Sequence, residues 1–130
     1  MAKLEAALHR TVADYLRRAL RPPTFFTTFP AGGGGRIRGA LLKAAGLQAG
    51  AGDLLVIHPV LKMRNEQGAW VLWIELKTET GRQSPVQKDF ERRIIEAGCF
   101  YHVARSVEDV EAILRETGIP VYGRAGRMAA

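Results

Sequence analysis

Three charged side chains stand at the borders of two apolar runs, where they could take part in chemistry. Asp53 precedes the run 54–57, and Glu75 and Lys77 end the run that begins at Trp70. Carboxylate oxygens are the ligands that Mg²⁺ and Mn²⁺ prefer. Charges at the end of a buried strand are costly unless they are paired or used. The pattern therefore predicts either an acidic site with one basic group, or a plain salt bridge between Glu75 and Lys77 at a sheet rim.

The run from Trp70 to Lys77 is typical of a central β-strand, because it is rich in aromatic and β-branched residues. Alternate side chains of a strand share a face. One face then has Val71, Trp73, Glu75 and Lys77, and the other has Leu72, Ile74 and Leu76. Both faces are apolar as far as Ile74, which predicts a strand that is covered on both sides.

The strand that follows Asp53 is predicted to pair with this central strand. His58-Pro59 ends it, and a charged connection with a turn near residues 65–68 leads back. An antiparallel hairpin would bring Asp53, at the start of one strand, close to Glu75, near the end of the other.

The other elements are predicted from periodicity and from helix start and stop signals. We expect helices over 4–20 and 39–45, a strand over 24–29, a helix that begins at Ser84-Pro85, a strand over 100–104 and a last helix after Ser106. In the helix after Ser84, the predicted inward stripe is Val86, Phe90, Ile94 and Ala97. This order predicts an α/β fold with a mixed central sheet flanked by helices, forming one domain over 1–122, and a flexible tail over 123–130.

Composition limits the function classes. The 130 residues suit one domain, and no apolar run approaches the ~18 residues that would span a membrane. The N-terminus enters an amphipathic pattern without a signal-peptide core. Cys99 is the single cysteine, so it cannot form an internal disulfide or belong to a zinc–cysteine cluster. These features predict a cytoplasmic location.

The net charge of +6 is concentrated at the start of the chain. Residues 1–48 contain eight Lys and Arg but only two acidic residues, whereas the remainder is neutral. A basic surface suggests a polyanionic partner, and the alternative is a solvated basic helix face. Four glycines over 32–35 allow close approach to a ligand, and Arg36 and Arg38 just after them suit phosphate contacts. A plain flexible linker is the alternative for this segment.

The ordered set of motifs resembles the PD-(D/E)XK nuclease superfamily. Asp53 precedes one strand, Glu75-Leu76-Lys77 ends the next, and Gln87 lies in the following helix. The entry Gly81-x-x-Ser-x-x-Gln is similar to the VRR-NUC branch, in its small stand-alone phage and bacterial form. The resemblance runs from about residue 4 to 113 and implies a restriction-endonuclease-like αβββαβ core. Two positions depart from the family: Gly52 stands where Pro is usual, and Ala31-Gly32 stands where Asn-Gly is frequent.

This resemblance implies a Mg²⁺- or Mn²⁺-dependent DNA endonuclease. Asp53, Glu75 and the backbone carbonyl of Leu76 would hold the ion, with Glu5 of the first helix as a further candidate. Lys77 would position or activate a water, and Gln87 would orient Lys77 or that water. Helix capping by Gln87 is an equally good explanation for this residue. The residues expected to contact DNA are Arg36, Arg38, Lys43, Arg82 and Ser84. None of the three histidines is assigned a catalytic role.

Small stand-alone relatives resemble Holliday-junction resolvases, which implies branched DNA as substrate, a homodimer, and a bacterial or phage-encoded protein. Phe25, Phe26, Phe29 and the apolar part of the first helix are the candidate interface residues, unless they fill the core of the monomer. The alternatives are a nucleic-acid-binding module without catalysis, and a nuclease that prefers flaps or duplex. The complete set Asp53, Glu75 and Lys77 favours an enzyme.

Overall fold

The computed structural model describes residues 2–29, 35–46, 48, 50–59 and 68–125. The predicted order of elements is confirmed. Along the chain these elements are α1 (Ala2–Ala19), β1 (Phe25–Thr28), α2 (Gly35–Ala44), β2 (Leu54–Pro59), β3 (Ala69–Leu76), α3 (Pro85–Glu96), β4 (Phe100–Ala104) and α4 (Val107–Glu116).

The four strands form one mixed sheet in the order β1-β2-β3-β4. β1, β2 and β3 are antiparallel neighbours, and β4 lies parallel to β3. A parallel neighbour requires a crossover, and α3 provides it. The β2–β3 hairpin places Leu54 opposite Ile74, so the residue before β2 lies beside the end of β3. The predicted α/β fold with a mixed central sheet is confirmed.

The main core lies between one face of the sheet and the helices α1 and α4. Alternation along β3 puts its most buried apolar residues on this face, as predicted. The buried set includes Val12, Tyr15, Leu16, Ala19, Leu54, Val56, Leu72, Ile74, Leu76, Val110 and Leu114. β2 and β3 supply side chains from the same register to this core. A shift of the pairing by one residue would turn those of one strand to the opposite face of the sheet.

The opposite face is covered by an aromatic layer under α3. Phe90 is buried, and its ring meets Trp73 of β3 edge-on, with centroids 5.1 Å apart. Tyr101 of β4 completes the layer, with its centroid 6.4 Å from that of Phe90. The predicted inward stripe of α3 is wrong at two of its four positions, since Val86 and Ala97 are exposed. These large rings take most of the contact, so α3 rests on Phe90 rather than on a full stripe.

Several element boundaries differ from the prediction. α2 begins at Gly35 rather than at residue 39, because Arg36 to Arg38 are good helix formers with no proline among them. β3 ends at Leu76, so Lys77 follows the strand, although its N–H still donates to the carbonyl of Ala104 at 2.9 Å. The segment predicted as a tail includes Ala125, whose N–H donates to Glu111 of α4 at 2.6 Å; residues 126–130 lie outside the described residues.

The helices of the described chain include none that is both long and apolar enough to cross a membrane.

Replacing Leu72 by Ala should lower the free energy of unfolding by about 2–5 kcal/mol, because this side chain is fully buried at the centre of β3 and its loss leaves a cavity. Leu41→Ala is the matched control, since Leu41 is 66 % exposed and should change stability by less than about 0.5 kcal/mol. Urea unfolding followed by circular dichroism measures both. Equal costs for the two variants would place Leu72 outside the core.

Candidate metal and nucleic-acid site

The β2–β3 hairpin fixes Asp53 against the end of β3. The N–H of Asp53 donates to the carbonyl of Ile74 at 3.1 Å, which continues the ladder by one residue. Its carboxylate turns back and accepts a hydrogen bond from the N–H of Leu76 at 2.6 Å, through Oδ2. Backbone and side chain are thus held by two successive groups of β3, and Asp53 lies beside Glu75.

The loop before Asp53 requires glycine where it approaches α3. Gly50 has a φ of 78°, which favours glycine, and a Cβ atom there would collide with the backbone of Val86. At Gly52, a Cβ atom would lie 3.2 Å from the Trp73 ring. This close packing fixes the path of residues 50–53 between α3 and β3.

Glu75 is the most buried charged residue of the described chain, with 3 % of its surface exposed. Its Oε1 accepts a hydrogen bond from Nε2 of Gln87 at 2.8 Å. The Nζ atom of Lys77 lies 3.6 Å from the same oxygen. Its Oε2 is buried and has no hydrogen-bond partner among the described residues. A buried carboxylate oxygen without a partner is costly unless a ligand completes it.

Gln87 caps α3, which is one of the two explanations that the sequence left open, and its side chain also contacts Glu75. Its backbone N–H donates to the Ser84 hydroxyl at 3.2 Å, and its Oε1 accepts from the Ser84 N–H at 2.9 Å, which forms a capping box. The amide nitrogen of the same side chain donates to Glu75. Helix capping fixes the orientation of the amide, and the amide in turn fixes Glu75.

Asp53 and Glu75 interact directly, and the pKa of each carboxyl group is above its ordinary value. Burial, followed by the negative charge of Asp53, raises the pKa of Glu75 to about 8, and nearby Lys77 opposes this shift. Burial also raises the pKa of Asp53, against the opposing effects of the Leu76 N–H and His9. Without a cation, this pair therefore favours a state that retains a proton near neutral pH.

A divalent cation fits this arrangement. Asp53 and Glu75 present hard oxygen donors side by side, one of them the unpartnered Oε2. The N–H of Leu76 points to Asp53, and the carbonyl of the same residue faces the same neighbour in an extended strand. Within the described residues, no three His, Cys, Asp or Glu side chains form a complete ligand set. The Leu76 carbonyl and water would therefore have to complete the shell.

In α1, the residue nearest to Asp53 is His9 rather than Glu5. Its Nε2 atom lies 3.7 Å from Oδ1 of Asp53. Glu5 is exposed and makes no hydrogen bond or ion pair in the described structure. The sequence places His9 one turn after Glu5 and next to the apolar stripe, but it does not indicate that this part of α1 meets Asp53. His58, by contrast, shares a hydrogen bond of 2.6 Å with the Thr24 hydroxyl, which suits a structural role.

Arg105 is a second residue that sequence reasoning missed. It follows β4, and its guanidinium donates to the carbonyls of Thr78 at 2.7 Å and Gly81 at 2.6 Å. These carbonyls belong to the turn that follows Lys77, so Arg105 fixes the path of the chain as it leaves the site. An arginine just after a strand has many ordinary uses, and nothing in the sequence distinguishes this one.

The residues expected to contact DNA are only partly described. Lys43, Arg82 and Ser84 are exposed, and Arg82 and Ser84 belong to the segment that joins the site to α3. Arg36 and Arg38 lie in α2, and their side chains are outside the described part of the structure. The structure thus brings together Asp53, Glu75, Lys77 and Gln87, whereas no hydrogen bond or ion pair joins Glu5 to them in the described part of the chain.

Comparison with known proteins agrees with the fold. A solved structure described as a "VRR_NUC domain protein" is similar with a TM-score of 0.66 at 21 % identity, covering 87 % of this chain and 86 % of that one. Another, described as a "VRR_NUC domain", has a TM-score of 0.53 at 18 % identity. That match covers 86 % of this chain and 95 % of the other. No family model and no curated protein matches the sequence. The chain therefore has the VRR-NUC fold that its motifs resemble.

The raised pKa of Glu75 predicts a pH-dependent stability for the metal-free protein. Between pH 4.5 and about 8 the folded state retains the proton of Glu75 and the unfolded state releases it. The free energy of unfolding should therefore fall as pH rises through this window, by at most about 1.4 kcal/mol per pH unit. Chemical unfolding in EDTA at several pH values measures the slope.

Glu75→Gln should flatten this slope, because glutamine keeps the acceptor for Gln87 and has no proton to release. Glu111→Gln is the control, since the pKa of Glu111 is lowered by hydrogen bonds from Ala125 and Arg115 and lies below the window. An unchanged slope in Glu75→Gln would assign the pH dependence to another group.

Proposed function

We propose that this protein is a metal-dependent DNA endonuclease that hydrolyses phosphodiester bonds. The observation that supports this most is the buried Glu75 carboxylate, with one oxygen unpartnered and the other between Gln87 and Lys77, beside the Asp53 carboxylate. A structural salt bridge needs neither a second carboxylate nor an unsatisfied oxygen. The VRR-NUC fold, which is a nuclease-family fold, agrees with this assignment.

Each side chain has a role that follows from its position. Asp53 and Glu75 would hold Mg²⁺ or Mn²⁺, with the Leu76 carbonyl as a third protein ligand. The ion, when bound, polarises the scissile phosphate and lowers the pKa of a bound water. Lys77 has an ammonium group 3.6 Å from Glu75, where it would position the attacking water and offset charge on the phosphate. Gln87 acts by orienting Glu75 through its amide.

Charge and exposure support DNA as the partner. The net charge is +6, and it arises entirely in residues 1–48. Arg82, exposed in the segment after Lys77, is close in sequence to the site and would contact phosphates beside the cleaved bond. Arg36, Arg38, Lys43 and Ser84 complete the proposed DNA-binding set. A single cysteine and a DNA substrate are consistent with action in the cytoplasm.

Conservative changes at the site should abolish Mg²⁺- or Mn²⁺-dependent nicking of plasmid DNA. Asp53→Asn, Glu75→Gln and Lys77→Met keep side-chain shape but remove charge, so each should lower the rate by about 10²-fold or more. Glu79→Gln is the matched control, because Glu79 is exposed two residues after Lys77 and the variant removes the same charge outside the site.

Plasmid nicking measured with and without EDTA checks this directly, and circular dichroism confirms that the variants are folded. Full activity in Glu75→Gln or in excess EDTA contradicts the proposal. DNA binding without any cleavage would support the alternative, a nucleic-acid-binding module without catalysis.

We further propose that the enzyme acts on branched DNA as a homodimer. One chain offers one Asp53–Glu75 site, whereas resolving a four-way junction requires two coordinated nicks. A two-fold dimer places two sites at a fixed separation and can match the symmetry of the junction. Among the candidate interface residues, Phe26 packs against the core and Phe29 stacks on Trp73. Phe25 remains 52 % exposed on the edge strand β1, and it is the best candidate.

Sedimentation at micromolar concentration should give a mass near twice 14.3 kDa, and Phe25→Lys should shift it towards the monomer. Lys3→Ala is the control, because Lys3 is exposed on α1. A mobile four-way junction should be cut by paired nicks faster than flap or linear duplex, and Phe25→Lys should uncouple the nicks. A monomeric wild type, or equal rates on all substrates, would reject junction resolution and leave the nuclease proposal intact.

A further inference from the structure

A cavity of about 470 Å³ opens beside the candidate metal site, on the face of the sheet that α3 covers incompletely. Its size is that of a small-molecule site. The described residues that line it are Phe29, Gly46, Gln48, Ala51, Trp73, Phe90, Arg93, Ile94 and Ala97. The cavity exists because α3 rests on Phe90, which leaves the space under Ile94 and Ala97 unfilled.

Two walls connect this cavity with the carboxylates. Trp73 precedes Glu75 by two residues on the same face of β3, which separates them by about 7 Å along the strand. On the other wall, the N–H of Phe29 donates to the carbonyl of Asp53 at 3.2 Å. Ala51 lies two residues before Asp53 in the loop that packs on α3. Residues of the cavity wall are therefore joined directly to the segments that carry both carboxylates.

The walls offer flat aromatic surfaces. The Phe29 and Trp73 rings are stacked, with centroids 5.1 Å apart and an angle of 17° between their planes. Phe90 meets Trp73 at 79°, so the three rings form a corner rather than a closed stack. Aromatic side chains of this kind bind nucleobases by stacking, without regard to their sequence.

The rim adds polar groups without adding negative charge. Both terminal nitrogens of Arg93 lie 3.4 Å from Oε1 of Gln48, which holds the guanidinium at the edge of the cavity. The guanidinium and the amide can donate to, or accept from, the edge of a base. No Asp or Glu is among the described lining residues, so a strand of DNA would meet no repulsion there.

We propose that this cavity receives a single unpaired nucleobase of the DNA strand that is bound at the Asp53–Glu75 site. The inference rests on the proposed nuclease function and specifies its substrate. A paired base must first be unpaired and unstacked before it can enter, whereas a base at a branch point, bulge or gap is extruded at little cost. The cavity would thus select DNA with an unpaired base within one or two nucleotides of the cleaved bond.

The test uses 2-aminopurine, a fluorescent base, at the unpaired position of a duplex with a one-nucleotide bulge. The full chain is titrated in EDTA, so that binding is measured without cleavage. Stacking in the cavity should quench the fluorescence in a saturable way, and the fully paired duplex should show no such change. Ala97→Trp should abolish the quenching, because Ala97 lines the cavity and its exposed position accepts a larger side chain.

The same variant should bind bulged DNA roughly 5- to 150-fold more weakly, the range expected for the loss of one stacked base, and should bind paired duplex as the wild type does. Ile95→Trp is the matched control, since Ile95 is 55 % exposed on the same helix and does not line the cavity. Its quenching and affinity should equal those of the wild type.

Failure of this inference differs from failure of the nuclease proposal. Wild-type protein that cleaves DNA with a metal ion but gives no quenching would overturn the base site alone. Quenching that Ala97→Trp removes, in a protein that never cleaves, would support the base site and reject the nuclease. If Ala97→Trp changes the sedimentation mass and leaves quenching intact, the cavity is an interface between copies of the chain, and the inference is overturned.

Discussion

The candidate site depends on holding two carboxylates together at the rim of an apolar sheet. Burial raises the pKa of both Asp53 and Glu75, so two negative charges at this place are costly. The hairpin enforces their proximity. The Leu76 N–H donates to the Asp53 carboxylate, and the pairing of Leu54 with Ile74 places the residue before β2 beside the end of β3. The core on the opposite face stabilises that register, so the hydrophobic effect opposes the electrostatic cost. A cation between the carboxylates would remove that cost.

Sequence reasoning could predict the parts of the site that follow from periodicity. Strand alternation predicts that Trp73 and Glu75 share one face, and hairpin geometry predicts that Asp53 lies close to Glu75. Only the capping role of Gln87 could be predicted. Capping is a local sequence pattern, whereas the contact with Glu75 depends on how α3 packs on the sheet. Helix capping was predicted as one explanation for Gln87, the contact with Glu75 was not predicted, and the orientation of Lys77 or a water by Gln87 stays a prediction.

What could not be predicted depends on contacts between distant elements. His9 approaches Asp53 because α1 crosses the sheet at this end. Helical periodicity does not predict where along its length a helix crosses a sheet. The predicted burial of Val86 and Ala97 failed because a stripe rule assumes side chains of similar size, whereas Phe90 meets two large rings. Periodicity reports which face of a helix points inward, and side-chain volume decides how closely that face approaches the sheet.

The parallel strand β4 links the site to the rest of the fold. Lys77 lies beyond the end of β3, yet its backbone N–H bonds the carbonyl of Ala104, and Arg105 then holds the turn at residues 78–81. An ammonium group on a flexible loop would occupy many positions, and only a few of these would place its charge next to a bound phosphate. The pairing of β4 extends strand-like order past Glu75, so the lysine is held by backbone contacts rather than by its flexible side chain. The crossover through α3 makes that pairing parallel, and it places Gln87 over Glu75 on the way. The same connection therefore positions both groups that contact Glu75 Oε1.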